Sequence, residues 1–294
     1  MGYYLLYGIC RTIAALPLRV LFVFADIVLY PMIYHVAGYR KKVVRRNLAA
    51  SFPDKTPAEQ KAIERGFYHH FCDYMVESLK MLHYSKKEMK KHMIFNNLEL
   101  VHELYGKGRS CFMLVGHYGN WEWIASLAIQ RPDGLHFGEL YRPLKNKTFD
   151  RFFLNLRSRF GFVGIPKNEV LREVIGFKRD GQPFLIGTLA DQTPSEANIH
   201  YYTTFLNQDT PVLTGTERMA KKVNAAVVYL DVVKVRRGYY ECRFEMIAEH
   251  PNDTAEFEIT ERYMRKMEQT ILRDPAPYLW THKRWKHSRY QVNN

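Results

Sequence analysis

Cysteine and negative charge are both scarce in this sequence. The four cysteines, Cys10, Cys72, Cys111 and Cys242, are widely spaced, lie in apolar surroundings and form no C-x-x-C pair. That spacing supports neither a disulfide framework nor a zinc site and fits reduced thiols facing a cytoplasm. Against 43 Lys and Arg there are 30 Asp and Glu, a formal net charge of +13. The shortage of acid points to anionic partners: nucleic acid, acidic membrane lipid or an acidic protein. Internal repeats and low-complexity tracts are missing, and no secretory leader is expected, because no basic stretch precedes the first apolar run and no clear small-residue cleavage site follows it. Apolar residues are plentiful. With 294 residues, 47% hydrophobic and 14% aromatic, the chain is too apolar to be disordered. It is long enough for one large domain, with or without a small helical extension.

The only long apolar stretch lies near the N-terminus. Residues 12–38 are mostly apolar, interrupted by Arg19 and Asp26, and the run Val20 to Gly38 has 19 residues with one acid. That length is barely enough to span a bilayer. The segment R-K-K-V-V-R-R, Arg40 to Arg46, follows directly, as basic residues do on the cytoplasmic side of a membrane helix or beside anionic headgroups. Spanning, lying in the interface and burial as a core helix are the three readings of this stretch. A division follows: residues 1–46 as membrane anchor and basic helix, 47–294 as the folded domain. In that domain Thr56, Pro57 and Glu59 open a capped helix that runs to about His83. From residue 97 onward apolar runs and helical patterns alternate, and two long strands, Ala225 to Val235 and Tyr239 to Ile247, flank Arg237-Gly238. The expected fold is α/β, a mixed central sheet flanked by helices, with an N-terminal membrane-associated helical segment.

The stretch C-F-M-L-V-G-H-Y-G-N-W-E-W, residues 111–123, carries the strongest chemical signal. Cys111 to Val115 reads as a buried strand and Asn120 as the N-cap of the helix that follows. His117 then lies at the mouth of a strand-to-helix turn with Glu122 in the first helical turn. A neutral His that accepts a hydroxyl proton, with a carboxylate on its other ring nitrogen, is a general base with its orienter. Gly116 and Gly119 leave room for a substrate to approach the backbone. The plainer reading is an ordinary turn flanked by a His and a Glu. Three further clusters stand at expected strand or helix ends. Arg142, in Tyr141-Arg142-Pro143, is either a clamp for phosphate or carboxylate or a solvated loop residue. Asp191-Gln192 either holds a substrate amide or a catalytic Arg, or starts a turn. Gly215-Thr216-Glu217-Arg218 is an anion site or, more simply, a helix cap. The tail Leu279 to Lys286 mixes indoles with positive charge and suits single-stranded nucleic acid or an anionic membrane surface.

Together, and in this order, these residues resemble the late acyltransferases of lipid A biosynthesis, the lauroyl/myristoyl acyltransferase family. The resemblance rests on the N-terminal apolar segment with its basic flank, His117-x-x-x-x-Glu122, Tyr141-Arg142-Pro143, Asp191-Gln192, Asp274-Pro275, Tyr278-Leu279-Trp280 and Arg284-Trp285-Lys286. It implies a glycerolipid-acyltransferase-like fold and an enzyme of the bacterial inner membrane with its site facing the cytoplasm. The acyl chain would pass from acyl carrier protein to a hydroxyl of an anionic glycolipid, a lipid A precursor. His117 would be the base and Glu122 its orienter, with Arg142, Asn120, Asp191 and Gln192 at the substrate. No metal or dissociable cofactor is needed, because the thioester is already activated, and no nucleic acid is involved. Where the family usually shows an aromatic–aromatic–glycine stretch after its Asp-Gln pair, this chain has Thr204-Phe205-Leu206-Asn207. Alternative acceptors are a lysophospholipid or an amino-acid-containing lipid. A non-catalytic basic protein binding membrane or nucleic acid is the alternative outside enzymology. Cys111, at the start of a buried strand, is expected to be inert rather than a thiol nucleophile.

Overall fold

The computed structural model describes residues 2–289; residues 1 and 290–294, the outer ends of the two expected segments, lie outside the described residues. Pro17 interrupts the N-terminal apolar region and divides it in two. Helix α1 covers Gly2–Ala15 and α2 covers Leu18–Val36. Helix α3, Lys41–Ser51, runs through the expected division at residue 46 and buries Val44 and Leu48 in the main core. Helix α4, Pro57–Lys80, opens with the expected capping box, in which Thr56 and Glu59 satisfy each other's backbone N–H groups. Its buried face includes Phe67, Tyr68, His70, Asp73 and Glu77.

The rest of the chain alternates as the pattern requires: α5 Lys86–His92, β1 Met93–Asn96, α6 Glu99–Gly106, β2 Cys111–Val115, a 3₁₀ helix Trp121–Ile129, β3 His136–Tyr141, α7 Lys147–Ser158, β4 Val163–Pro166, α8 Val170–Arg179 and β5 Phe184–Leu189. A short hairpin, β6 Tyr202–Phe205 and β7 Gln208–Pro211, precedes α9 Gly215–Val223, β8 Ala226–Arg236, β9 Tyr239–Ala248 and α10 Glu258–Arg273. Seven strands form one sheet in the order β1-β9-β8-β2-β5-β3-β4. Every pair is parallel except β8 with β9, so the sheet is mixed, with helices flanking it. Strand β1 is an element the sequence pattern did not show: only four residues long, it alternates buried and exposed positions and follows a basic helix without a break.

The N-terminal helices lie against this body. Leu21, Phe22 and Ala25 of α2 pack on Cys72 and Val76 of α4, and Asp26 pairs with Arg237 at the β8–β9 turn at 2.7 Å. The opposite side of α2 leaves Val20, Val23, Phe24, Ile27 and Met32 exposed. At 19 residues and a mean hydropathy of 1.5, α2 is long and apolar enough to cross a membrane, and it is only 17% buried in the protein. The segment Thr204 to Asn207 ends in the hairpin turn between β6 and β7, with Leu206 and Asn207 both at positive φ, 49° and 62°, as a two-residue hairpin turn demands.

Candidate active site

Strands β2 and β5 are parallel neighbours in register, Val115 opposite Leu189. Each chain turns out of the sheet just beyond that pair, so the second residue past Val115, His117, meets the second residue past Leu189, Asp191. The His117 Nδ1 to Asp191 Oδ1 distance is 2.7 Å, and the His117 backbone N–H donates to Asp191 Oδ2 at 3.1 Å. Asp191 is 1% exposed. An ionised carboxylate only accepts hydrogen bonds, so Nδ1 carries the proton and the lone pair sits on Nε2. Nε2 faces the Gln192 amide nitrogen at 3.1 Å, and Gln192 Nε2 is its donor. Burial alone would lower the His117 pKa, but the Asp191 carboxylate outweighs it and the imidazole stands above its ordinary value of 6.5. Burial would likewise raise Asp191, yet the charge and hydrogen bonds of His117, with a contribution from Arg284, hold it below the usual carboxylate range.

The expected partner of His117 was Glu122. The structure corrects this: Glu122 is bound bidentately by Arg157 of α7, Nε to Oε2 at 2.6 Å and Nη2 to Oε1 at 2.7 Å. Glu122 still faces the same cavity as His117, but its charge is consumed by the guanidinium. Asn120 is also reassigned. It caps the 3₁₀ helix, accepting from Trp123 N at 3.2 Å, and donates to Glu77 at 2.9 Å; with 0% exposure it cannot touch a substrate. Gly119 is required by its φ of +61°, and the space a side chain at Gly116 would fill is taken by Met267, so neither glycine opens a path for substrate. Arg142 lines the cavity and makes no hydrogen bond or ion pair among the described residues, which leaves its guanidinium available. Glu217 accepts from the Thr260 N–H and hydroxyl, at 2.9 and 2.6 Å, so its cluster is a helix junction rather than an anion site. Cys111 is buried and its thiol is pushed up to about 12, which makes it inert at neutral pH.

The cavity, of about 370 Å³, is lined by His117, Glu122, Glu139, Arg142, Arg157 and Gln192 among others. Glu139 was not singled out from the sequence. Burial, and then the nearby Glu122 charge, raise it to about 7 against the opposing pull of Arg157.

Two structures hold the His117 loop from outside. From α4, His70 Nε2 donates to Gly119 O at 3.1 Å, and the Glu77 carbonyl accepts from the Trp123 indole at 2.9 Å. From the C-terminal side, residues 274–285 form a strap: Leu279 N donates to His117 O and Gly119 N to Pro277 O, both at 3.1 Å. The Thr193 N–H donates to His282 Nε2 at 3.1 Å. Trp280, Arg284 and Trp285 are buried, so the tail expected to stack on nucleic acid or rest on a membrane instead clamps both loops of the site. The signal for α4 was available in the sequence: His70, Asp73 and Glu77 recur on one helical face among apolar residues.

Glu77 carries a measurable consequence. It is fully buried, burial raises its carboxyl from 4.5 to about 7, and Asn120 and Tyr240 both donate to Oε2. An acid whose pKa is raised by folding stabilises the protein fully below its unfolded pKa and loses that contribution as pH rises to the folded value. The stability of the wild type relative to Glu77→Gln will therefore fall by roughly 3 kcal/mol between pH about 4.5 and about 7, each pK unit being worth about 1.4 kcal/mol. Urea unfolding of both proteins across that range checks this; a flat difference refutes it.

Comparison with known proteins meets this geometry. The sequence model described as bacterial lipid A biosynthesis acyltransferase matches residues 1–287. A lipid A biosynthesis acyltransferase of Haemophilus influenzae is 23% identical over 250 residues, covering 84% of this chain and 76% of that protein.

Proposed function

Because the chain belongs to the bacterial lipid A biosynthesis acyltransferase family, and so transfers acyl groups, we propose that it moves a fatty acyl chain from acyl carrier protein to a hydroxyl of a lipid A precursor, with His117 as general base and Asp191 as its orienter. The observation that carries this reading is the ring of His117, anchored through Nδ1 by a buried carboxylate and turning Nε2 toward a cavity. In the reaction the acceptor hydroxyl displaces the Gln192 amide from Nε2 and gives its proton to that nitrogen. The oxygen attacks the thioester carbonyl, and the tetrahedral oxyanion collapses, breaking the C–S bond. The departing thiolate takes the proton from His117, which restores the base. Asp191 stabilises the imidazolium between these steps. Arg142, without a hydrogen-bond or ion-pair partner among the described residues, meets negative charge, either a phosphate of the acceptor or the developing oxyanion.

The surroundings suit a lipid acceptor. The exposed side of α2 and the exposed Leu144 at the cavity provide apolar surface for the bilayer, and Arg40 to Arg46 provide charge for an anionic leaflet. The site then faces the cytoplasm at the inner membrane, where the excess of positive charge also steers an acidic carrier protein. The fold is read as glycerolipid-acyltransferase-like on the same grounds.

The test is transfer by the purified protein in detergent, with acyl carrier proteins bearing several chain lengths and a lipid A precursor, products identified by mass spectrometry. Acylated precursor is the expected product. Transfer only to a lysophospholipid or an amino-acid-containing lipid would keep the chemistry and replace the acceptor. No transfer to any hydroxyl would overturn the proposal.

A further inference from the structure

One buried cation near the site takes no part in the chemistry described so far. Arg284 is 1% exposed. Its Nη1 donates to Pro211 O at 2.7 Å, while Nε and Nη2 are buried and have no hydrogen-bond partner among the described residues. Leaving charged donors unsatisfied in a protein interior is costly, and such a group persists where it serves something. What lies around it is the inner side of the catalytic pair. The backbone carbonyl of Arg284 accepts from Thr193, two residues beyond Asp191, so the strap fixes Arg284 against the loop that carries Asp191. The ionisable groups that face Asp191 are His117 from the end of β2, Tyr263 from α10, and Tyr278, His282 and Arg284 from the strap. His282 is itself pushed down to about 4 by burial and is neutral at physiological pH. Arg284 is therefore the only permanent cation in that set.

We infer that Arg284 is a positioning residue for the acyl transfer, a buried cation that keeps Asp191 ionised and seated against His117 without touching substrate. Asp191 is a carboxylate removed from water, and its one hydrogen-bonding side-chain partner, His117, is neutral in the form that acts as base. A buried anion in that state needs a positive charge nearby to balance it. The guanidinium, which does not line the cavity, supplies it, and its Nε and Nη2 are committed to no hydrogen bond among the described residues.

This inference rests on the reading of His117 and Asp191 as base and orienter, and its test has one arm that needs no turnover. In the folded protein, with the Asp191 carboxyl carbon followed by ¹³C NMR, proton affinity rises at least tenfold when the cation is removed: the midpoint in Arg284→Gln moves up by one pH unit or more, and that in Arg284→Lys by less. An unchanged midpoint in folded Arg284→Gln overturns the inference, whatever the enzyme acylates. Kinetically, Arg284→Gln will lower kcat about 10- to 100-fold with KM within about twofold, and Arg284→Lys will recover most of it. In an Asp191→Asn background the same Arg284→Gln change will cost less than about twofold more, because the charge it balances is gone. Equal losses in both backgrounds would show a packing role only and sink the proposal. Should Arg284→Gln fail to fold, Arg284→Met, which keeps the apolar stem and removes the charge, takes its place in the Asp191 midpoint measurement.

Discussion

Asp191→Asn will lower kcat/KM for acyl transfer by about 10²- to 10⁴-fold, the range that loss of an orienting carboxylate produces in other His-based acyl-transfer sites. The physical reason is the tautomer. With the carboxylate at 2.7 Å, Nδ1 must carry the proton and Nε2 is left free as the base. An amide at position 191 can present its nitrogen to Nδ1 and lock the opposite tautomer, with the proton on Nε2, where it blocks the acceptor hydroxyl. The pH profile separates this from misfolding. Because Asp191 holds His117 above 6.5, the acid limb of wild-type kcat/KM will fall at a pH above that value: activity is present where the imidazole is neutral and is lost as pH drops through its pKa. Removing the carboxylate moves that limb to lower pH. His117→Ala, which removes the base outright, will abolish transfer with the chain still folded. Retention of wild-type activity in either variant would reject the pair.

Breaking the Glu122–Arg157 pair will have a different signature. Both charges are largely out of water, with side-chain exposures of 3% and 18%, and removing either one strands the other. Arg157→Met will destabilise the protein by about 3 kcal/mol, the lower end for a buried pair because Arg157 keeps some contact with water. Glu122→Leu will cost a comparable amount. The double variant, with neither charge left to desolvate, will recover much of the loss, a coupling visible in a double-mutant cycle of urea unfolding. If Glu122 were instead the orienter of His117, Glu122→Gln would behave like Asp191→Asn, shifting the acid limb with little effect on stability. The pair of experiments therefore assigns the two carboxylates to separate duties: Asp191 to the imidazole and Glu122 to the architecture of the cavity wall.

How far the sequence reached depends on whether a feature is local. The capping box at Thr56, the strand ahead of Gly116, the N-cap at Asn120 and the hairpin around Arg237-Gly238 are set by neighbours in the chain, through backbone hydrogen bonds and alternating burial, and each is found where the pattern put it. His117 and Asp191 were each marked as polar residues directly after apolar runs. Their pairing was not, because they are 74 residues apart and nothing in either segment states which strands become neighbours. Glu122 was chosen for its nearness in sequence, yet on a tightly wound 3₁₀ turn it faces Arg157, a residue of a helix that no local rule connects to it. The tail was misjudged for the same reason. Tryptophans among lysines and arginines look like a binding surface until a cavity between two loops is there to receive them.

The amino-acid sequence by itself determined the α/β alternation, the basic surface, the single long apolar helix, and the residue types from which an acyl-transfer site is made, since these follow from periodicity, composition and short motifs. The tertiary structure alone decided which carboxylate serves the histidine, which is held by an arginine, and where the buried charge of Arg284 goes. Those choices are fixed by the register of β2 on β5 and by the closing strap, both products of long-range packing, in which the burial of one charge is tolerable only if another arrives from a distant part of the chain.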